Sequence, residues 1–189
     1  ARELIQAGAN FKIRLNSGMT PLLLAVREGK MEMVRLLLES GADVNETLQI
    51  PPGGRPARPK PGRAGQSAMH IAVENAHYEL AAMLLDSGAD PNASGPGYTV
   101  LHAIPSVRKP SGGDNDPAPD GSGNMTSVEL IRKLVAKGAN INARMTKRIA
   151  FGLTSLNDVG ATPFCIAALT ADAELMRLFA SLGADPKIP

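Results

Sequence analysis

The 189-residue sequence predicts an all-α solenoid of stacked helix-turn-helix layers joined by short hairpin loops. A phrase Gly-Ala-Asp or Gly-Ala-Asn occurs five times, and a second glycine-initiated phrase, such as Gly-Met-Thr-Pro-Leu, occurs four times. Aromatic residues are scarce, with four Phe, two Tyr and no Trp. Thin layers filled by small aliphatic side chains need few aromatic residues, and each layer buries its faces only by stacking on its neighbours.

The two phrases share one period. The first phrase begins at Gly8, Gly41, Gly88, Gly138 and Gly183. The second begins at Gly18, Gly65, Gly97 and Gly160. From the second phrase to the next first phrase the distance is 23 residues in three copies and 41 in the other. The repeating unit is therefore 33 residues long, and three inserts disguise it.

Helix start signals lie in the second phrase. Thr20 and Thr162 can cap a helix N-terminus, and Pro21 and Pro163 suit the first helical position, where no amide hydrogen is needed. Milder versions, Ser-Ala-Met-His and Thr-Val-Leu-His, stand in the second and third copies. Each of the four copies is therefore predicted to begin a short helix here.

Two helices are predicted in the first full copy, Pro21–Arg27 and Met31–Glu39, and the second has a broad apolar face. The glycine of the first phrase, Gly41 in this copy, ends the second helix because glycine easily takes the left-handed conformation. In the third copy Pro105 lacks an amide hydrogen in mid-helix. The first helix of that copy is therefore predicted to be truncated.

These phrases resemble the ankyrin-repeat signature Thr-Pro-Leu-His-x-Ala, which has a period of about 33 residues. The resemblance covers nearly the whole chain outside the inserts and implies one ankyrin-repeat domain over residues 1–189. It implies a partial repeat at 1–14, full repeats at 15–47, 62–94, 95–144 and 157–189, and inserts at 48–61, 105–125 and 145–156. The long inserts are similar to those of ankyrin arrays in environmental bacteria. We expect the chain to be a piece of a longer array.

The inserts carry the positive charge of the chain, whose formal net charge is +2. The stretch 48–64 carries +4, the stretch 105–126 carries −1, the stretch 145–156 carries +2, and the remaining residues carry −3. The Pro-rich first insert is predicted to be a solvated linker, with docking to an aromatic groove or an anionic surface as alternatives.

The other two inserts differ in character. The second does not place oxygen ligands in an EF-hand register and is predicted to be a flexible loop. Segments 50–62 and 107–123 are both predicted to be mobile. The third insert is too apolar for a free linker and is predicted to pack back onto the scaffold or to form an exposed partner patch.

No pattern in the sequence predicts catalysis, a cofactor or a metal site. The single cysteine, Cys165, excludes an internal disulfide and is predicted to be a buried thiol. The resemblance implies that His70 and His102 hydrogen-bond the backbone of neighbouring hairpins, whereas His77 falls in a turn and is predicted to be solvated. The Asp residues that recur with the period are expected to have a structural role in the turns and no catalytic role. We therefore expect no enzymatic activity and no small-molecule substrate.

The resemblance implies a protein partner that binds the hairpin tips and the exposed side of the first helices. The residues at those positions are Met19, Arg27, Glu28, Arg63, Gln66, Glu74, Tyr98 and Asp158. Two alternatives are a structural segment of a larger protein whose activity lies elsewhere, and contact of the basic first insert with nucleic acid or another anionic surface. No apolar run approaches the roughly 20 residues of a membrane span, and the sequence leaves the localisation open.

Overall fold

A computed structural model describes residues 3, 7–50, 64–109, 119–149 and 157–188 of the chain. These residues form eight α-helices and no strand, with one isolated antiparallel bridge between Thr47 and Ser67. Most of segment 50–62, most of segment 107–123, and Arg63 lie outside the described residues. The all-α repeat fold that the sequence predicts is confirmed.

The eight helices form four successive pairs, each of which makes one layer. The pairs are α1 Pro21–Arg27 with α2 Met31–Glu39, α3 Ala68–Glu74 with α4 Tyr78–Asp86, α5 Val100–Arg108 with α6 Ser127–Ala136, and α7 Pro163–Leu169 with α8 Ala173–Ser181. The first helices of the layers pack on one another in series, and α4 packs on α6. The layers therefore stack into a solenoid.

Polar caps begin the first helix of each layer. Thr20 Oγ1 accepts a hydrogen bond from the Leu23 amide at 3.2 Å, and Thr162 Oγ1 accepts one from the Cys165 amide at 3.4 Å. The proline after each threonine occupies the first helical turn. Such a cap satisfies amide groups that have no partner inside the helix. The capped ends point to the hairpins, so the start of every first helix is held beside the hairpin loops.

Small and aliphatic side chains fill the spaces between the layers. Ala68 and Ala72 of α3 are completely buried, which lets the neighbouring first helices approach closely. Leu37 of α2 is 3% exposed, and Phe179 of α8 is the largest fully buried side chain of the described residues. At about 25 cal/mol per Å² of apolar surface, burial between layers is the main stabilising term, because no pair of helices could bury both faces alone.

An asparagine ladder ties each layer to the next. The side chain of Asn92 donates to the Gly138 carbonyl at 2.9 Å and accepts from the Asn140 amide at 2.7 Å. Asn45 and Asn142 make the equivalent pairs of bonds to the layers that follow them. Each rung satisfies two backbone groups of the adjacent layer and therefore fixes the register of the stack.

The predicted truncation of the third layer's first helix is wrong, because α5 runs from Val100 to Arg108 with Pro105 inside it. An internal proline costs about 3 kcal/mol through its missing hydrogen bond and its ring. Tertiary contacts offset this cost: Pro105 is buried, and the Arg108 guanidinium pairs with the buried Asp172 carboxylate at 2.9 Å. Arg108 also donates to Ser127 Oγ at 2.8 Å, which ties the end of α5 to α6.

The prediction that His77 is solvated is also wrong, because its side chain is 8% exposed. Its Nε2 lies 3.0 Å from the Arg27 carbonyl oxygen of the first layer, and its Nδ1 accepts from the Ser122 amide at 3.0 Å. The end of the second insert thus folds back over two earlier layers. A Cβ atom at Gly121 would lie 2.0 Å from the Ala76 carbonyl oxygen, so this approach requires glycine.

The start of the third insert packs on the scaffold, in agreement with the first of the two expectations for it. Met145 is 2% exposed and Ile149 is half-buried. Phe151, Leu153 and Leu156 lie outside the described residues. In the part of the chain that the structure describes, no helix combines the length and the apolar character that crossing a membrane requires.

Candidate interaction surface

The hairpins between layers form a continuous side of the stack, which we call the hairpin edge. It comprises the described residues 11–19, 46–50, 64–66, 93–98, 143–149 and 157–161. In the hairpins of layers one, two and four the residue before the helix cap closes the loop with its carbonyl oxygen. Met19 accepts from the Leu15 amide at 2.9 Å, and Gln66 accepts from the Leu48 amide at 2.8 Å. These bonds hold the tips at fixed positions beside the first helices.

The expectation that Met19, Gln66 and Tyr98 are exposed is wrong, because the three side chains are 7%, 3% and 2% exposed. They occupy the same repeat position, directly before the cap, and their side chains are buried in the stack. Tyr98 Oη accepts from Gln66 Nε2 at 2.9 Å and donates to the Glu74 carboxylate. Gln66 and Tyr98 therefore join layers two and three, and none of the three side chains is exposed to a partner.

Asp158 is also buried, at 7% exposure, although the sequence places it at a hairpin tip. Its carboxylate accepts from the Ile149 amide at 3.2 Å and so fastens the third insert to the fourth layer. Glu74 is half-buried within the Gln66–Tyr98 cluster. Arg63, the remaining member of the second copy, lies outside the described residues.

Arg27 and Glu28 are the predicted partner-binding residues that the structure exposes. Their side chains are 47% and 55% exposed at the C-terminal end of α1, and their charged groups lie 2.9 Å apart. An exposed pair of this kind adds little stability, because both charges stay hydrated. It is therefore free to exchange its water contacts for contacts with a binding protein.

The two histidines of the repeat signature are buried and neutral. His70 Nε2 lies 3.0 Å from the Tyr98 carbonyl oxygen, and His102 Nε2 lies 3.1 Å from two carbonyl oxygens, those of Ala143 and Ala161. Burial lowers the pKa of each to about 4, although the carbonyl contacts act in the opposite direction. A neutral ring donates from Nε2 to the carbonyl, so these groups hold hairpins together and provide no acid–base chemistry at neutral pH.

Cys165 takes the place of the signature histidine in the fourth layer, and it is half-buried where the sequence predicts a buried thiol. Its Sγ accepts from Thr162 Oγ1 at 3.4 Å. Within the described ranges, no three His, Cys, Asp or Glu side chains group as metal ligands do. The polar side chains described here hydrogen-bond the backbone of the hairpins, and the exposed residues provide a surface for contact.

Sequence reasoning missed four exposed aliphatic residues of the hairpin edge. Ile13 is 53% exposed, Leu15 45%, Ile50 36% and Val159 48%. They are the large hydrophobic residues that the described structure exposes, and none of them lies in a helix. The signal in the sequence was their place in the hairpins, where the repeat pattern requires no apolar side chain.

The family model described as ankyrin repeats (3 copies) matches residues 1–95. No curated protein matches the chain. The matched residues contain the first two layers, including α1 with Arg27 and Glu28.

Proposed function

Because the chain belongs to the ankyrin-repeat family, we propose that it is a non-catalytic scaffold that binds a protein partner through its hairpin edge and the adjoining face of its first helices. Ankyrin repeats are generally protein–protein interaction modules. We extend the array over all 189 residues, with the full repeats and inserts at the boundaries given above.

The observation that carries this proposal is the location of the exposed apolar residues. All four large hydrophobic side chains that the described structure exposes belong to the hairpin edge. Apolar side chains gain free energy when a partner covers them, by about 25 cal/mol per Å². The edge on which all four lie is therefore the favoured place for a contact.

The rigidity of the stack supports the same proposal. Caps, asparagine rungs and hairpin hydrogen bonds hold the tips in place before a partner arrives. A surface ordered in advance loses little conformational entropy on binding, so more of the contact energy appears as affinity. Arg27 extends the surface from the hairpin edge along the exposed side of α1, and arginine is a frequent contributor to binding energy.

The test is a pull-down of protein partners by the full chain and by two double variants. Arg27→Ala with Glu28→Ala removes the exposed pair on α1. Arg35→Ala with Glu32→Ala is the matched control, because it removes a like pair from α2 of the same layer. We expect the first variant to lose a partner that wild type and control retain, while circular dichroism shows all three folded.

Two results would contradict this function. Equal recovery of every partner by both variants would remove Arg27 and Glu28 from the interface. Retention of nucleic acid but no protein by the wild type at about 0.15 M salt would replace the protein partner with an anionic polymer.

A further inference from the structure

The exposed charged side chains of the hairpin edge have one sign. Its exposed charged residues are all cations in the part that the structure describes: Lys12, Arg144, Lys147 and Arg148. Exposed acids lie outside the edge: on the second helices and in the turns that follow them, as Glu32, Asp86 and Asp90 do, at the end of α1, as Glu28 does, and in the second insert, as Asp120 does. The edge therefore presents a positive potential although the whole chain has a net charge of only +2.

The two acids within the edge are taken up by internal contacts. Glu46 is half-buried and accepts from Thr20 Oγ1, and burial raises its pKa although that hydrogen bond acts against the change. Asp158 is buried and accepts from the Ile149 amide at 3.2 Å. Neither carboxylate faces solvent as an exposed group that would neutralise the cations.

One of these cations, Lys147, is held in place by the backbone of a neighbouring hairpin. Thr146 donates its amide to the Gly97 carbonyl at 2.8 Å, and Lys147 Nζ donates to the Gly95 carbonyl at 3.2 Å. A carbonyl oxygen orients an ammonium group without neutralising it. Arg144 stands two residues before Thr146 and is exposed. The fourth hairpin thus fixes the Lys147 ammonium group and carries the exposed Arg144 beside it, and the exposed Val159 lies in the loop segment that returns to pair with Met145.

We propose that the hairpin edge binds an acidic peptide segment that also carries aliphatic side chains. The proposal rests on the function proposed above and names the chemistry of the partner. Carboxylates of the segment pair with Arg144 and Lys147, and its apolar side chains cover Val159. Opposite charges accelerate the encounter and select the partner, whereas the apolar contacts supply affinity that salt does not screen.

The composition of the edge favours a peptide over nucleic acid or a membrane. Proteins that bind single strands stack bases on exposed aromatic side chains, whereas in this edge Tyr98 is 2% exposed and Phe11 is half-buried against the core. Phosphate groups gain nothing from Ile13 or Val159. Helices that lie on membranes present one wide apolar face, whereas these aliphatic residues are single and distributed between the first and the fourth layers.

The sequence that joins the two sides of the hairpin closed by Leu48 and Gln66 is also positively charged. The sequence between Ile50 and Ala64 contains three arginines and one lysine and no acidic residue. An acidic partner is favoured by this sequence, and a basic partner is disfavoured, whatever course the linking chain takes.

The test measures binding of fluorescein-labelled peptides to the full chain by fluorescence anisotropy at about 0.15 M salt. The probe is a repeating Glu-Asp-Leu peptide. A Gln-Asn-Leu peptide keeps its apolar groups without charge, and a Glu-Asp-Gly peptide keeps its charge without apolar groups. Oligo-dT and vesicles containing phosphatidylserine are the competitors that represent the other anionic ligands.

We expect the Glu-Asp-Leu peptide to bind at least about tenfold more tightly than either control peptide, because both kinds of contact contribute. Arg144→Glu with Lys147→Glu should weaken binding of that peptide by about tenfold or more, and Val159→Ser by about threefold. Arg132→Glu with Arg177→Glu is the matched control, because it reverses two exposed cations on second helices, and it should leave the affinity unchanged.

Equal affinity for the Glu-Asp-Leu and Gln-Asn-Leu peptides, or an unchanged affinity after reversal of Arg144 and Lys147 in a folded variant, would overturn the proposal. Displacement of the peptide by oligo-dT or vesicles at lower concentration than by unlabelled peptide would assign the edge to that ligand instead. Failure here, with a protein partner still lost on substitution of Arg27 and Glu28, would leave the proposed function standing. If the peptide binds but the pull-down captures no protein, the scaffold function proposed above is contradicted and the acidic-peptide proposal is not.

Discussion

The two buried histidines make the stability of the stack depend on pH. The pKa of His70 and of His102 is about 4 in the folded chain, because burial disfavours the charged ring, and about 6.5 when the chain is unfolded. Between these values the unfolded chain binds more protons than the folded chain. The contribution to stability is therefore complete above about pH 6.5 and declines as the pH falls towards 4.

The size of this effect follows from the same pKa values. At about pH 5 the unfolded histidine is almost fully protonated and the folded one almost fully neutral, which costs about 2 kcal/mol of stability for each histidine. The fourth layer carries Cys165 at this repeat position, so His102→Cys introduces a residue that the fold already accommodates there.

The assay is urea unfolding followed by circular dichroism at about pH 7.5 and about pH 5. We expect wild type to lose more stability between these conditions than His102→Cys, by about 2 kcal/mol. Carboxylates such as Asp172, whose pKa is held low by Arg108 against the effect of burial, titrate alike in both proteins and cancel in the comparison. A difference below about 0.5 kcal/mol would show that His102 is not buried as a neutral ring.

Three further substitutions test the stack, two by the same unfolding assay and one by limited proteolysis. Leu37→Ala removes a side chain that is 3% exposed and should cost about 2–5 kcal/mol, and a loss below about 0.5 kcal/mol would mean that this face of α2 is not buried. Asn92→Ala removes one rung and should cost about 1–3 kcal/mol, whereas an unchanged stability would show that the ladder does not tie layers together. Gly121→Ala should loosen the end of the second insert, because its Cβ atom would lie 2.0 Å from a carbonyl oxygen, and protease cleavage beside it should accelerate without global unfolding.

The repeat pattern was sufficient for the helices and their order. A threonine followed by proline, and a glycine at the end of each second helix, are local signals that depend on neighbouring residues alone. The error at α5 arose because Pro105 has a strong local cost. The contacts that offset it involve Asp172, which lies 64 residues after Arg108, and no local rule contains such a contact.

The interaction surface was less predictable than the fold. The repeat position before the helix cap looks like a hairpin tip in the sequence, yet Met19 and Tyr98 turn inward between layers. His77 illustrates the same limit, since its partner Ser122 is 45 residues away inside an insert. Arg27, at the end of a helix whose boundary the sequence predicts, was placed correctly as an exposed residue.

The most direct test of the proposed function is photo-crosslinking from single positions of the chain in its native extract. A photo-reactive amino acid at Val159 places the probe on the hairpin edge, and the same amino acid at Arg132 places it on the exposed side of α6. A discrete protein adduct from position 159, absent from position 132 and reduced by an excess of the Glu-Asp-Leu peptide, is the result we predict. Adducts that form at position 132 and not at position 159 would place the binding surface on the second helices and contradict the account.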